Sequence, residues 1–150
     1  MQIDDRIDRL RKALSAMQNR SVDRESHHAE AAVALVVRVR AELELLLIRR
    51  AERAGDPWSG HVAFPGGRRA EGDPDLVGTA LREAQEETGI DFREVGELLG
   101  TLDEVEPGSR RLPSLVVSPH VVAVPPTIEP VPFLAEVEHA RCCLLYTSDA

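Results

Sequence analysis

The chain has 150 residues, 43% of them apolar and 29% charged, so it is long enough to form one domain with a hydrophobic core. Its formal net charge of −8 argues against a protein that binds nucleic acid through the phosphate backbone, because that role needs a cationic surface. The sequence contains no apolar run long enough to span a membrane, and its first residues lack a secretory signal. We therefore expect a cytoplasmic protein that contacts neither a nucleic acid polymer nor a membrane.

The N-terminal segment, residues 1–29, is predicted to form an amphipathic helix followed by a polar linker. Apolar residues recur three or four positions apart over residues 3–17, which is the spacing of a helix with one buried face. The linker contains His27 and His28, a pair that is more typical of a solvated loop than of a metal site.

The remaining pattern predicts short strands on both sides of one well-marked helix. Apolar runs at 32–39 and 43–48 indicate a hairpin, and further strands are expected at 95–102, 114–124 and 133–137. This order predicts an α/β (α+β) fold, with a mixed β-sheet packed between helices.

The well-marked helix is predicted at residues 74–88. Asp73 can cap its N-terminus, Pro74 suits the first helical position, and Gly89 suits the left-handed residue just beyond the last turn. A helical wheel places two sets of residues on opposite sides. The packing side is expected to carry Val77, Ala80, Leu81, Ala84 and Thr88, and the other side Thr79, Glu83, Glu86 and Glu87.

The three glutamates place more negative charge in the last turns of this helix than is favourable for helix stability. Glu83 lies three and four residues before Glu86 and Glu87, and all three carboxylates lie near the C-terminal end, where the helix dipole disfavours anions. Arg82, four residues before Glu86, can offset part of that repulsion. A solvated acidic face is the ordinary interpretation of such a run. A bound divalent cation is the alternative, since Mg²⁺ prefers carboxylate oxygens.

The glycine pair Gly66-Gly67 precedes this helix and lets backbone approach a metal or a phosphate closely. Together, Gly67, Asp73 and the run from Arg82 to Ile90 resemble the Nudix box, Gly-x5-Glu-x7-Arg-Glu-U-x-Glu-Glu-x-Gly-U, where U is aliphatic. The second half matches closely. The first half departs from the pattern, because residue 73 is Asp and eight residues separate it from Arg82.

The resemblance implies a Nudix fold over residues 30–141 and a Mg²⁺- or Mn²⁺-dependent pyrophosphohydrolase acting on a nucleoside diphosphate linked to another moiety. The implied metal ligands are Gly66, through its carbonyl, and Glu83, Glu86 and Glu87. Arg82 would orient a neighbouring carboxylate. Glu83 is the first candidate for the general base, and Glu104 and Glu106 are the alternatives.

The segment before the glycine pair resembles the coenzyme A pyrophosphatase branch of this family, on the runs LLIRRA at 46–51 and SGHVAFPGG at 59–67. CoA or a CoA derivative is therefore the favoured substrate, and 4′-phosphopantetheine and 3′,5′-ADP would be the products. The alternatives are ADP-ribose, a dinucleoside polyphosphate or a (d)NTP. The candidate substrate-binding residues are Arg49, Arg50, Arg53, Trp58, Gly67 and Arg111.

Two other classes of function are also consistent with the sequence, and so is assembly into a homodimer. A Nudix-like domain that binds a ligand without hydrolysing it would have the same fold, although all the acids of the second half of the box are present. A structural module with an acidic helix would show no metal dependence.

The last residues, 142–150, are expected to be a non-native read-through tail. The run CLLYTSDA from Cys143 resembles the translation of an adapter used in preparing sequencing libraries. We accordingly expect the closing C-terminal helix of the fold to be missing from this chain.

Overall fold

A mixed β-sheet runs through the centre of the molecule. The computed structural model describes residues 4–24, 29–56, 59–107 and 114–145, and within them the sheet has seven strands. The helices are α1 (Asp5–Ala16), α2 (Leu76–Thr88) and α3 (Phe92–Val95). The strands are β1 (Ala29–Val39), β2 (Leu43–Arg50), β3 (Val62–Ala63), β4 (Gly66–Arg68), β5 (Glu97–Thr101), β6 (Leu115–Ala123) and β7 (Val137–Leu144).

The longest strand, β1, organises the sheet. The strand order is β3-β2-β1-β6-β5, with β4 also paired to β1 and β7 paired to β2. The β1–β6 pair is parallel, whereas the other strand pairs are antiparallel. One half of β1 pairs with β4, from Ala31 to Val33, and the other half pairs with β2, from Val37 to Val39. The predicted hairpin of the first two strands is thereby confirmed.

Each face of the sheet is covered by a helix, as the predicted fold class requires. On one face a buried cluster joins α2 and α3 to the sheet, with Ala80, Ala84, Phe92, Val36 and Val122 among its members. On the opposite face, Ile7 and Leu14 of α1 pack against Val37, Leu99 and Val121. The N-terminal segment thus forms a helix, and that helix packs against the sheet.

The strand predicted at residues 133–137 is wrong, because the last strand begins only at Val137. In the preceding segment, residues 131–136, backbone amides donate hydrogen bonds to carbonyls at the end of α2 instead of to a neighbouring strand. The amides of Val131 and Phe133 donate to the carbonyls of Thr88 and Glu87. Amides that are engaged with a helix end do not pair with a neighbouring strand.

Residues 142–144, which were expected to belong to a non-native tail, lie in β7 and pair with β2.

None of the helices in the described ranges is long and apolar enough to cross a membrane.

Candidate active site

The acidic helix α2 begins later than the sequence suggests. Its N-cap is Asp75, whose side chain accepts a hydrogen bond of 2.7 Å from the Gly78 amide, so the predicted cap at Asp73 is wrong. At the other end Gly89 adopts a left-handed conformation (φ 71°) and donates to the Gln85 carbonyl, as predicted.

Asp73 has another role, which is to anchor Arg82. Its carboxylate accepts hydrogen bonds from Arg82 Nε (2.7 Å) and Nη2 (3.0 Å), from the Thr79 hydroxyl (2.9 Å) and from the Ala70 amide (2.8 Å). These donors, Arg82 foremost, hold the pKa of Asp73 far below its ordinary value. The acid of the atypical first half of the box is thus a fully bonded structural carboxylate.

Arg82 links this anchor to two of the glutamates. Its Nη1 atom donates to Glu83 Oε1 at 3.0 Å and to Glu86 Oε1 at 3.2 Å, so the predicted contact between Arg82 and Glu86 is confirmed. The pKa of Arg82 is raised, chiefly by the hydrogen bond to Asp73. One guanidinium that is fixed by Asp73 therefore fixes the orientation of both glutamates.

Glu87 is the most deeply buried of the box acids. Its side chain is 2% exposed, and Oε1 accepts a hydrogen bond of 2.8 Å from the Gly66 amide. Burial raises the pKa of Glu87 to about 7, the Gly66 bond opposes that rise, and the charge of Glu83 adds to it. The pKa of Glu83 is also raised, mainly by burial, although Arg82 opposes the shift. Both carboxylates would therefore gain from a nearby cation.

The predicted division of α2 into a packing side and an acidic side is only partly correct. Ala80, Ala84 and Thr88 are buried as expected, but Thr79 and Glu87 of the acidic side are buried as well. The reason is that α2 contacts β4 in addition to β1, so a second flank of the helix is covered.

The two glycines of the pair are required for different reasons. A Cβ atom on Gly66 would lie 2.3 Å from the Ala32 carbonyl oxygen, so glycine here permits the pairing of β4 with β1. A Cβ atom on Gly67 would lie 2.5 Å from Glu83 Cδ. Gly66 therefore allows the strand to form, whereas Gly67 allows the Glu83 carboxylate to lie against the backbone.

A cleft of about 490 Å³ opens beside these residues. Residues of β1, β4, β6 and α2 and of the segments after β2 and before β7 line it. The charged or titratable lining residues are Arg50, Arg53, Asp56, His61, Arg68, Glu83, Glu87 and Glu136. The apolar lining residues include Ala31, Val33, Val62, Phe64, Leu115 and Val117. Carboxylates, cationic groups and apolar walls thus meet in one space that is large enough for a small molecule.

Three of the predicted substrate-binding residues line this cleft: Arg50, Arg53 and Gly67. Arg49, although adjacent to Arg50, does not line it; its Nε atom lies 3.5 Å from a carboxylate oxygen of Glu138. The remaining two, Trp58 and Arg111, lie outside the described residues.

Arg50 is bound by Asp56 on one side of its guanidinium. Its Nη2 atom donates to Asp56 at 3.0 Å, whereas its Nε atom is buried and has no hydrogen-bond partner in the described ranges. An unsatisfied buried donor is unfavourable without a ligand, so Arg50 suits a substrate phosphate.

The predicted alternative bases do not line the cleft. Glu104 is bound by Arg24, with Nη2 at 2.6 Å from Oε2, and by the Val22 amide, and these contacts lower its pKa. Glu106 is exposed and precedes Pro107, which is a lining residue. A carboxylate that is neutralised by a bidentate arginine is a poor proton acceptor, so Glu104 supports the structure instead.

Glu136 and Arg68 also line the cleft, although no sequence pattern predicted either of them as a site residue. Arg68 directly follows the glycine pair, and its place beside the motif could have indicated it. Glu136 carries no comparable signal, because its position depends on the path of residues 131–136.

The donor set of the cleft fits a hard divalent cation. Glu83 and Glu87 are oxygen donors with pKa values raised by burial. In the described part of the chain no group of three His, Cys, Asp or Glu side chains is close enough to hold a metal, and Glu86, 51% exposed, bonds Arg82 instead of lining the cleft. Mg²⁺ commonly takes only one or two protein carboxylates and completes its shell with water and phosphate oxygens, which matches this arrangement.

Comparison with known proteins identifies the family. Residues 27–147 match the model of the NUDIX domain. A Yersinia enterocolitica protein, named as an uncharacterized Nudix hydrolase NudL, is 39% identical over 115 residues, which cover 77% of this chain and 55% of that protein. The chain spans about half the length, or less, of the curated relatives that it matches.

Solved structures share the fold at lower identity. The NUDIX domain of Shewanella oneidensis NrtR, complexed with ADP ribose, superposes with a TM-score of 0.62 at 20% identity, covering 80% of this chain and 75% of that chain. The Caenorhabditis elegans Ap4A hydrolase, as a binary complex, gives 0.60 at 21% identity, covering 77% and 80%. With the family model matched from strand β1 through β7, and with the box residues around the cleft, the chain belongs to the NUDIX domain family.

Proposed function

We propose that the chain is a pyrophosphohydrolase that uses Mg²⁺ or Mn²⁺ to cleave a nucleoside diphosphate linked to another moiety. The observation that carries the proposal is the meeting of two carboxylates, the buried Glu87 and the half-buried Glu83, with cationic Arg50 in one cleft. Hydrolysis of a pyrophosphate requires carboxylates that can bind a divalent cation and cationic groups that can bind the phosphates.

The roles of the residues follow from their contacts. Glu83 and Glu87 would hold the cation, with the Gly66 carbonyl as a further oxygen donor. When bound, the cation neutralises charge that develops on the phosphates and makes a water molecule more acidic. Arg82 keeps Glu83 in place through the Asp73 anchor, and Arg50 and Arg53 bind phosphate oxygens on the other wall.

CoA or a CoA derivative is the substrate that we favour. The cleft offers three guanidinium groups, Arg50, Arg53 and Arg68, which exceeds the need of a diphosphate alone and suits an additional phosphate. Its apolar wall, with Val33, Phe64 and Val117, suits an extended and weakly polar arm. ADP-ribose, a dinucleoside polyphosphate or a (d)NTP is the alternative, and the first of these accompanies the NrtR domain named above.

The test is a product screen with Mg²⁺ or Mn²⁺ against CoA, ADP-ribose, dinucleoside polyphosphates and nucleoside triphosphates. Release of 4′-phosphopantetheine and 3′,5′-ADP would support the favoured substrate, and products from ADP-ribose alone would reject it. Binding of ADP-ribose without products would identify a ligand-binding domain instead of an enzyme.

A pair of neighbouring arginines provides a matched control for the substrate site. We expect Arg50→Lys to raise KM about tenfold or more, since lysine lacks the bidentate fork, while Arg49→Lys leaves KM nearly unchanged. Equal effects of the two variants would contradict the assignment of Arg50 to the phosphate.

A further inference from the structure

The segment of residues 131–136, between β6 and β7, is fixed to the end of the acidic helix. The Val131 amide donates to the Thr88 carbonyl at 2.7 Å, and the Phe133 amide donates to the Glu87 carbonyl at 3.1 Å. The last carbonyls of a helix lack partners within the helix, so the segment satisfies them. Its path is therefore set by α2, the helix that carries the box acids.

Glu136 ends this segment, and its backbone is bonded on both sides. Its amide donates to the Phe133 carbonyl at 3.0 Å, and its carbonyl accepts from the Ala51 amide, just after β2, at 2.9 Å. Its side chain lines the same cleft as Glu83 and Glu87. The carboxylate thus belongs to the site although it lies about fifty residues after the box.

The other carboxylates of the cleft are already bonded within the protein. Glu83 accepts from Arg82, Glu87 accepts from the Gly66 amide, and Asp56 accepts from Arg50. The Glu136 carboxylate makes no hydrogen bond or ion pair with any residue in the described ranges. All its lone pairs are therefore available to a ligand or to a water molecule.

Glu136 shares the cleft with the box acids but does not belong to a closely packed group. Its side chain lines the same space as those of Glu83 and Glu87. Yet these three acids do not form a group close enough to hold one ion. A carboxylate that is near the cation site without joining it is placed to act on a water molecule between them.

We propose that Glu136 is the general base of the hydrolysis, a proposal that rests on the proposed function. A water oxygen forms a bond to one phosphorus, and its proton passes to a Glu136 oxygen. The bridging P–O bond breaks and its electron pair stays on the departing phosphate. Two phosphorylated products leave, and Glu136 returns its proton to solvent. Glu83 and Glu87 would keep binding the cation during this step and would not accept the proton.

The experiment compares Glu136→Gln with Glu138→Gln, which alters an exposed acid two residues further along and outside this cleft. We expect Glu136→Gln to lower kcat about 100- to 10,000-fold with KM nearly unchanged, because a positioned base contributes that much. Glu138→Gln should retain the wild-type kcat. The affinity for Mn²⁺, measured by the paramagnetic resonance of the free ion, should be the same in both variants as in the wild type.

A second variant separates proton transfer from a structural effect. We expect formate to restore part of the activity of Glu136→Ala, because a small carboxylate can enter the space and accept the proton. No such rescue is expected for Glu87→Ala, whose defect is the loss of the cation.

Several outcomes would overturn the inference. An unchanged kcat in Glu136→Gln would do so, and so would a loss of Mn²⁺ affinity as large as that of Glu87→Gln, which would make Glu136 a metal ligand. A wild-type protein that binds Mn²⁺ but cleaves none of the pyrophosphates would reject the proposed function itself, and the role of Glu136 with it.

Discussion

Two buried carboxylates, that of Asp73 just before the acidic helix and that of Glu87 in its last turn, behave in opposite ways. Asp73 is 8% exposed and Glu87 is 2% exposed, yet the pKa of Asp73 is far below its ordinary value while that of Glu87 is raised to about 7. Asp73 accepts four hydrogen bonds, two of them from a guanidinium, whereas Glu87 accepts one from an amide. Hydrogen-bond donors, Arg82 foremost, therefore decide the state of Asp73, whereas burial with a single amide donor decides the state of Glu87.

The contrast assigns a structural role to Asp73 and a ligand-binding role to Glu87. The Asp73 carboxylate is satisfied by donors within the protein and holds Arg82 in place. The Glu87 carboxylate is not satisfied in this way, so a cation from solution can stabilise its charge. Substitutions at Asp73, at Glu87 and in the glycine pair test that division.

Glu87→Gln should remove most activity. We expect a loss of more than about 100-fold, because a neutral amide would replace the carboxylate that we propose as a metal ligand. Mn²⁺ binding should weaken in parallel, whereas the metal-free variant should melt no lower than the wild type, since a buried charge has been removed. Kinetics, metal titration and thermal melting measure these effects. Glu94→Gln, an exposed acid of α3, is the control and should change none of them.

The glycine pair should show the same division between stability and activity. Gly67→Ala should displace Glu83 and lower kcat about 100-fold, because an error of about 1 Å in a site can have that effect. Gly66→Ala should instead destabilise the fold by about 1–3 kcal/mol, since its Cβ would meet the backbone of β1. Chemical unfolding and steady-state kinetics distinguish the two. Equal losses of stability in both variants would contradict the assignment.

Asp73→Asn should weaken activity and stability together. We expect kcat to fall about 10- to 100-fold, as is typical when a residue that orients a metal ligand is changed, and the melting temperature to fall as well. Asp75→Asn, the matched control, should be nearly neutral because asparagine also caps helices. If Asp73→Asn were as active and stable as this control, Arg82 would not depend on the anchor.

The two carboxyl groups should also give opposite dependences of stability on pH. The raised pKa of Glu87 means that the metal-free fold favours its protonated form, so that contribution is present at acidic pH and lost as pH rises through about 7. The change is on the order of 3 kcal/mol. The lowered pKa of Asp73 acts the other way, because its contribution is present at neutral pH and lost as pH falls below the ordinary range of aspartate.

Urea unfolding between pH 5 and pH 8 without metal measures the Glu87 effect. Glu87→Gln should flatten the decline, and Mg²⁺ should reverse it in the wild type by favouring the ionised carboxylate. A wild-type curve that keeps rising up to pH 8 without metal would show that Glu87 is already ionised.

The sequence predicts the parts of this site that depend on local patterns. Glycine after a helical run ends α2 at Gly89, and the spacing of Arg82 and Glu86 places them in contact. The choice between Asp73 and Asp75 as N-cap could not be made locally, since both flank Pro74 and both can accept amide bonds. A tertiary contact, that of Asp73 with Arg82, decides it.

Burial of Glu87 and the position of Glu136 were beyond sequence reasoning for a similar reason. The strand that covers Glu87, β4, has three residues, two of them glycine, and so shows no apolar alternation. Glu136 reaches the cleft only because the preceding amides bond the end of α2. Both facts depend on contacts between segments that are distant in the sequence.

The parallel pairing of β1 with β6 has a consequence for when the site can form. The two strands are separated by most of the domain, and such long-range pairing is slow because chain entropy must be lost first. Leu115, Val117, Ala135 and Glu136, which complete the cleft wall, are all synthesised after the box. A nascent chain that has already released the box from the ribosome would therefore still lack the complete cleft until β6 and Glu136 have emerged.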